Sequence, residues 1–248
     1  MMCVISLPSK READYGGDMG LLEAIRFIRH PRARRMKLRV DLVSGEVKLT
    51  APRYVSRAQM MAFLEANQNW VERQRARLTP PTQLRPGARL TVFGLPRVLE
   101  HQPGLRGARF ESDLICVGGQ SEFFVRRVLA LVRREAHQLF QQWADEFAAQ
   151  LGLPLRPVRV RDTRSRWGSC TVAGDINLSW RLAFAPPEVA RYVVAHEVAH
   201  RLEMNHSPAF WAIVNQLVGE VSSHRLWLVQ QGHQLLRLGV AAPPPGES

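Results

Sequence analysis

Cysteine is scarce: only Cys3, Cys116 and Cys170 occur in 248 residues. An odd number without repeated spacing argues against a disulfide framework and for a reducing compartment. No apolar run reaches the length of a membrane span, which excludes an integral membrane protein of the helical kind. The first residues carry Lys10, Arg11, Glu12, Asp14 and Asp18 where an export signal needs an apolar stretch. The expectation is a cytoplasmic chain without membrane association. Lysine is equally rare, with Lys10, Lys37 and Lys48 the only three among 34 basic residues. Acidic residues number 22, leaving a formal charge of +12. Arginine enrichment of this kind can follow from a GC-rich genome as well as from an anionic partner.

The composition is otherwise that of a globular protein, 46% hydrophobic and 23% charged. No internal repeat is visible. Residues 1–20 mix Pro, Gly and charge without periodicity and read as a flexible leader. From Arg35 the chain alternates, with Met36, Leu38, Val40 and Leu42 on one strand face and Arg35, Lys37, Arg39 and Asp41 on the other. Ser44-Gly45 reads as a turn, and Val47, Leu49 and Ala51 continue a return strand, giving a hairpin with a basic outer face. Ser56 and Gln59 form a capping-box pattern at the start of a helix whose apolar side is Met60, Phe63, Leu64, Trp70 and Val71, stopped by Pro80-Pro81.

Short apolar pieces at 90–93, 98–99 and 114–117, separated by Gly and Pro, predict a small β element. Residues 121–151 carry apolar positions at helical spacing, ended by Gly152 and Pro154. Strand-like pieces follow at 158–161, 167–171 and 176–180, the last two joined by an Ala173-Gly174-Asp175 turn. Helices are expected from Pro186-Pro187 to about Glu203, from Ser207-Pro208 onward, and over 223–236, before a disordered tail at 241–248. The division expected is a β-rich region at 21–120 and a second domain at 121–240.

The segment that carries chemistry is HEVAHRLEMNH, His196 to His206. His196 and His200 lie four residues apart, about 40° round a helix and about 6 Å along it, so their imidazoles converge on one cation. Glu197 adjoins the first, where a carboxylate reaches an attacking water without being a ligand. A catalytic zinc site needs a third protein ligand. His206 serves only if the helix ends soon after His200, because ten helical residues would carry it about 15 Å along the axis. Asn205, able to take a left-handed cap, and Ser207-Pro208 supply the stop. Glu203 and Glu220 are alternative carboxylate ligands. His30, His101, His137, His224 and His233 stand alone and read as surface or packing residues.

The run SRWGSC (165–170) and the run INLSWRLAFAPPEVARYVVAHEVAHRLEMNHSPAFW (176–211) resemble the YgjP-like metallopeptidase family, relatives of the SprT-type zinc proteases. The basic hairpin at 34–51 with its helix, and Arg225-Leu226-Trp227-Leu228, resemble further landmarks of that family. The resemblance implies an α+β chain with a zincin-like catalytic domain: a small sheet, an active-site helix and flanking helices, preceded by the hairpin and the small β element. It implies one zinc ion on His196, His200 and His206, with Glu197 catalytic. The histidine spacing also matches metzincins, but Glu203 stands where they have glycine.

Zinc on three neutral imidazoles would polarise a carbonyl while Glu197 takes a proton from the attacking water. Arg164, Arg166, Asn177 and Tyr192 are candidate oxyanion or substrate contacts. Trp167 and Gly168 either line a substrate-binding strand edge or simply pack. The expected activity is cleavage of polypeptide. Two alternatives use the same residues: hydrolysis of a nucleotide phosphoanhydride, for which metal and arginine also suit, and nucleic-acid binding with a structural zinc. Residues 1–80 hold fifteen basic against eight acidic residues, and Arg26, Arg29, Arg32, Arg34, Arg35, Lys37 and Arg39 run without an intervening acid. Arg32, Arg34, Arg35, Lys37 and Arg39 are therefore the expected docking point for an anionic partner, nucleic acid or nucleotide. No pattern in the sequence speaks to oligomeric state.

Overall fold

The structure, a computed structural model, describes residues 25–41, 45–76, 83–163 and 166–238. The expected leader and tail, Cys3, and Arg164 lie outside these residues. Two compact units divide the chain, Met1–Pro80 and Pro81–Ser248, and each has its own apolar core. The α+β class expected from the sequence is what the elements show.

In the first unit, β1 (Ile25–Arg29), β2 (Lys37–Val40) and β3 (Val47–Ala51) form a sheet in the order β1-β3-β2. The β2–β3 pair is the expected hairpin, antiparallel, with Gly45 at φ 78° in its turn. Residues 42–44 of that turn lie outside the described residues. β1, which the alternation pattern did not signal, adds in parallel to the free side of β3. Leu38, Val47, Leu49 and Ala51 are buried on one face against Met60, Phe63, Leu64 and Val71. On the opposite face, register sets Arg26, Lys48 and Arg39 side by side across all three strands.

The capping box is present, with the Ser56 hydroxyl accepting from the Gln59 amide and the Gln59 side chain accepting from the Ser56 amide. The single helix expected here is two, α1 (Arg57–Glu65) and α2 (Gln68–Ala76). Asn67 causes the break: its side-chain amide donates to the Phe63 carbonyl at 2.7 Å and its own carbonyl starts α2 by accepting from Val71. A short amide side chain competes with the helical ladder in this way.

The second unit begins with a sheet of β4 (Arg89–Val92), β5 (Leu95–Gln102), β6 (Ala108–Glu111) and β7 (Leu114–Gly118), ordered β4-β5-β7-β6. Phe93 and Gly94 both take positive φ in the two-residue β4–β5 turn, whose backbone twist suits a tight hairpin. The Phe93 amide donates to the Ala183 carbonyl at 2.6 Å. A 3₁₀ turn at Ser121–Phe123 leads into α3 (Phe124–Gln150), which buries Val128, Val132, Ala136, Phe140, Ala144 and Phe147 at helical spacing. These share one core with Val92, Leu99, Ile115 and Val117 of the sheet. That shared core is why the units divide at residue 80, whereas composition suggested a boundary near 120.

β8 (Arg159–Arg161), β9 (Gly168–Cys170) and β10 (Ile176–Ser179) form the last sheet, ordered β8-β10-β9. The expected turn between β9 and β10 forms, with Gly174 at φ 85° and its amide donating to the Thr171 carbonyl. A 3₁₀ segment at Trp180–Phe184 is anchored by Arg181, only 2% exposed, which pairs with Asp162 and lies over the Trp180 ring at 4.4 Å. Four helices complete the unit: α4 (Pro187–Ala199), α5 (Pro208–Val218), α6 (Ser222–Gln230) and α7 (Gly232–Leu235). No helix among the described residues is long and apolar enough to cross a membrane.

Candidate metal centre

α4 opens at Pro186-Pro187, where fixed φ suits a first turn. Its buried side presents Val189, Val193, Val194 and Ala195 to the core. His196 and His200 project from its last turn, with ring centroids 4.9 Å apart. The helix ends at Ala199 with His200 as C-cap. Expectation and structure differ on how the chain then turns: Asn205 is not left-handed, since Phe93 and Ser112 are the only positive-φ residues other than glycine among those described. Tightened turns do the work, with the Arg201 amide donating to the Val198 carbonyl and the Leu202 and Glu203 amides to Ala199. Ser207 then caps α5, its hydroxyl accepting from the Phe210 amide.

This reversal returns His206 to the helix end. Its Nε2 lies 3.0 Å from the Nε2 of His196, and one ligand atom from each of His196, His200 and His206 falls within 4.8 Å of the others. Four-coordinate zinc with bonds of about 2.0–2.1 Å sets neighbouring nitrogens about 3.3 Å apart. Phe210 supports all three rings from below, with centroids 4.6–4.8 Å away. His200 Nδ1 faces the Glu203 carbonyl at 3.0 Å, leaving Nε2 toward the cluster. Glu203, weighed as a carboxylate ligand, thus contributes its backbone, and the Glu220 carboxylate accepts from the Ser222 amide instead.

Burial, reinforced by His200, His206 and Arg225, holds the proton affinity of His196 down to about 3. Burial also lowers that of His200, with the Glu203 carbonyl opposing. Three imidazoles converging in this way are the donor set a zinc ion takes, so the residues fit such an ion. The Nδ1 of His196 is buried and has no hydrogen-bond partner among the described residues.

Glu197 is 6% exposed, and burial pushes its carboxyl up to about 8, with Arg166 opposing. It lies against Gly168 of β9: a Cβ built at 168 would stand 2.4 Å from Glu197 Oε1. Tyr192, one turn before His196, has its ring 5.9 Å from that imidazole, and burial raises its hydroxyl's hold on its proton.

Arg166 is thus brought near Glu197 and Tyr192 near the histidines, whereas Asn177 is not. Register pairs Asn177 with Ser169 and Leu178 with Gly168, so Asn177 points to the sheet face away from Glu197. Trp167 packs on Gly232 of α7, where a Cβ would meet its ring at 2.8 Å. Arg32, Arg34 and Arg35 sit in the β1–β2 connection of the first unit, and Lys37 and Arg39 on the outward face of β2. Two neighbours of the centre fall in family-like runs of the sequence, but nothing there tied them to the histidines. Trp211 stacks on His206 at 5.9 Å and 28°, and Arg225 lies 4.5 Å over Trp211.

No curated protein matches the chain significantly. A solved structure, the metallopeptidase zymogen of Pyrococcus abyssi abylysin, is 21% identical over 38% of this chain and 95% of its own, with a TM-score of 0.33. A family model, YgjP-like, metallopeptidase domain, matches residues 34–231. That span takes in the basic hairpin, the two later sheets and the histidine cluster alike, and the chain belongs to the YgjP-like metallopeptidase family.

Proposed function

We propose that the chain is a zinc-dependent peptidase in which His196, His200 and His206 hold one zinc ion and Glu197 is the general base. The observation that carries this reading is the convergence of three imidazoles, with ligand atoms within 4.8 Å, beside a buried glutamate. No fourth His, Cys or carboxylate joins the group among the described residues, which favours an open catalytic site over a closed structural one. A zinc ion held there supplies Lewis acidity toward a carbonyl oxygen.

The chain's own groups supply the rest. Glu197 takes a proton from the attacking water on a carboxylate oxygen and returns it to the leaving amine, and burial raises its proton affinity above that of an ordinary carboxylate. Tyr192 keeps its proton and can donate it as a hydrogen bond to the developing oxyanion. β9 is an edge strand, paired only with β10 among the described residues, and its Gly168 abuts Glu197. An extended peptide adding to that edge would run beside the base.

Glu197→Gln should keep the metal stoichiometry of the parent protein and lose cleavage of a labelled unfolded polypeptide. Retained turnover by the zinc-loaded variant would overturn the general-base role. Hydrolysis of nucleoside triphosphates without any peptide cleavage would replace the peptide substrate by a phosphoanhydride.

A further inference from the structure

Arg225 stands on the second turn of α6, exposed, with its guanidinium 4.5 Å over the Trp211 ring. Trp211 in turn stacks on His206 and meets His196 at a centroid distance of 5.9 Å. The arginine is therefore one indole away from the proposed metal ligands. Among the described residues no ion pair includes it. The nearest acid in sequence, Glu220, has its carboxylate on the Ser222 amide, and Glu197 faces Gly168 of β9.

A guanidinium lying on an indole has its face occupied and its edge free. That edge carries the fork of N–H groups that matches a carboxylate in two parallel hydrogen bonds. The indole also fixes the long side chain, so less rotamer freedom is lost when a ligand binds. An unpaired, braced cation beside a hydrolytic centre is a binding element for an anion on the substrate.

We propose that Arg225, braced on Trp211, forms a carboxylate-binding subsite at the rim of the histidine cluster. It rests on the peptidase reading for the nature of the substrate: the bound peptide presents an acidic side chain, or its own C-terminal carboxylate, on the α6 side of the scissile bond.

The test separates the subsite from turnover. Alanine-based hexapeptides carrying Glu or Gln at each position, with free or amidated C-termini, are titrated by calorimetry into the zinc-loaded Glu197→Gln protein, which binds without cleaving. The carboxylate-bearing peptides should bind about tenfold tighter than their neutral counterparts. Arg225→Ala in the same background should erase that difference while leaving the neutral peptides within about twofold. Arg225→Glu should invert it in favour of lysine-bearing peptides. Loss of the preference on amidation alone assigns the carboxylate to the chain terminus, and its persistence assigns it to a side chain. Equal affinity for Glu and Gln peptides together with no loss on amidation, or an Arg225→Ala loss shared by the amidated Gln peptides, would overturn the proposal. An acid preference in binding, with no peptide cleaved by the parent protein, would sink the peptidase reading and leave the subsite standing.

Discussion

Gly168→Ala is the most exacting perturbation of the proposed centre, because it replaces one hydrogen by a methyl group and touches no histidine. The new Cβ would lie 2.4 Å from Glu197 Oε1, 2.6 Å from its Cγ and 2.7 Å from its Cδ. Ordinary contact lies at about 3.5–4.0 Å between carbons, so the glutamate must retreat by about 1 Å. Rotating the carboxylate cannot relieve this, since Cγ is struck as well. A displacement of about 1 Å in a reacting group costs on the order of 10²-fold in rate. Overpacking of this size costs about 1–3 kcal/mol of stability.

The assay is kcat/KM on a labelled unfolded polypeptide, paired with zinc stoichiometry and a urea unfolding curve. The expected outcome is a rate lower by about a hundredfold with full metal content and a folded protein. The same substitution in a Glu197→Gln background should change the residual rate no further, because two changes acting through one group are not additive. A Gly168→Ala rate within threefold of the parent, or an equal fractional loss in both backgrounds, would refute the coupling of β9 to Glu197.

Metal-free protein should show opposed pH effects from two neighbouring residues. The folded pKa of His196, about 3 against an ordinary 6.5, makes stability rise with pH between those values, while that of Glu197, about 8 against 4.5, makes it fall from 4.5 to 8. The two cancel near pH 4.5–6.5, leaving a net loss of about 2 kcal/mol from pH 6.5 to 8 that urea titration of chelated protein should register and Glu197→Gln should abolish. A flat profile in the parent protein would contradict it. Asp162→Asn should destabilise by about 2 kcal/mol in the same assay, because it strands the buried Arg181 guanidinium; a change below 0.5 kcal/mol (about the reach of surface substitutions) would show the pair to be idle. The row of Arg26, Lys48 and Arg39 should bind a polyanion such as heparin with affinity that falls steeply with salt and weakens on Arg39→Gln. Binding indifferent to salt would remove the sheet face as a docking surface.

Much of the centre was legible before any fold was known, because its chemistry is local. His196 and His200 declare a shared helix face by spacing alone, and the stop before Ser207 requires only that a helix end. The capping box at Ser56 and the β9–β10 turn at Gly174 were equally local and formed as read. The manner of the stop was not: bonding of Arg201, Leu202 and Glu203 amides back to the helix replaced the expected left-handed Asn205. A choice between two turn geometries depends on what packs above, here Phe210 beneath the rings. Likewise the division of the expected single helix into α1 and α2 depends on the Asn67 side chain meeting the Phe63 carbonyl.

What the sequence by itself determined is the α+β class, the histidine cluster with its adjoining glutamate, and the concentration of positive charge in the first 80 residues. Each rests on periodicity, spacing or counting along the chain, and such signals survive without knowledge of long-range contacts. Only the tertiary structure decided that the sheet at 89–118 shares a core with α3, that Asn177 turns away from Glu197 while Gly168 makes room for it, and that Arg225 reaches the centre through Trp211. Two of those facts join residues well apart in the chain, Trp211 and Arg225 by 14 positions and Gly168 and Glu197 by 29. Register and helix packing set them, and neither leaves a pattern in sequence; Gly168 is visible there, but the side chain it makes room for is not.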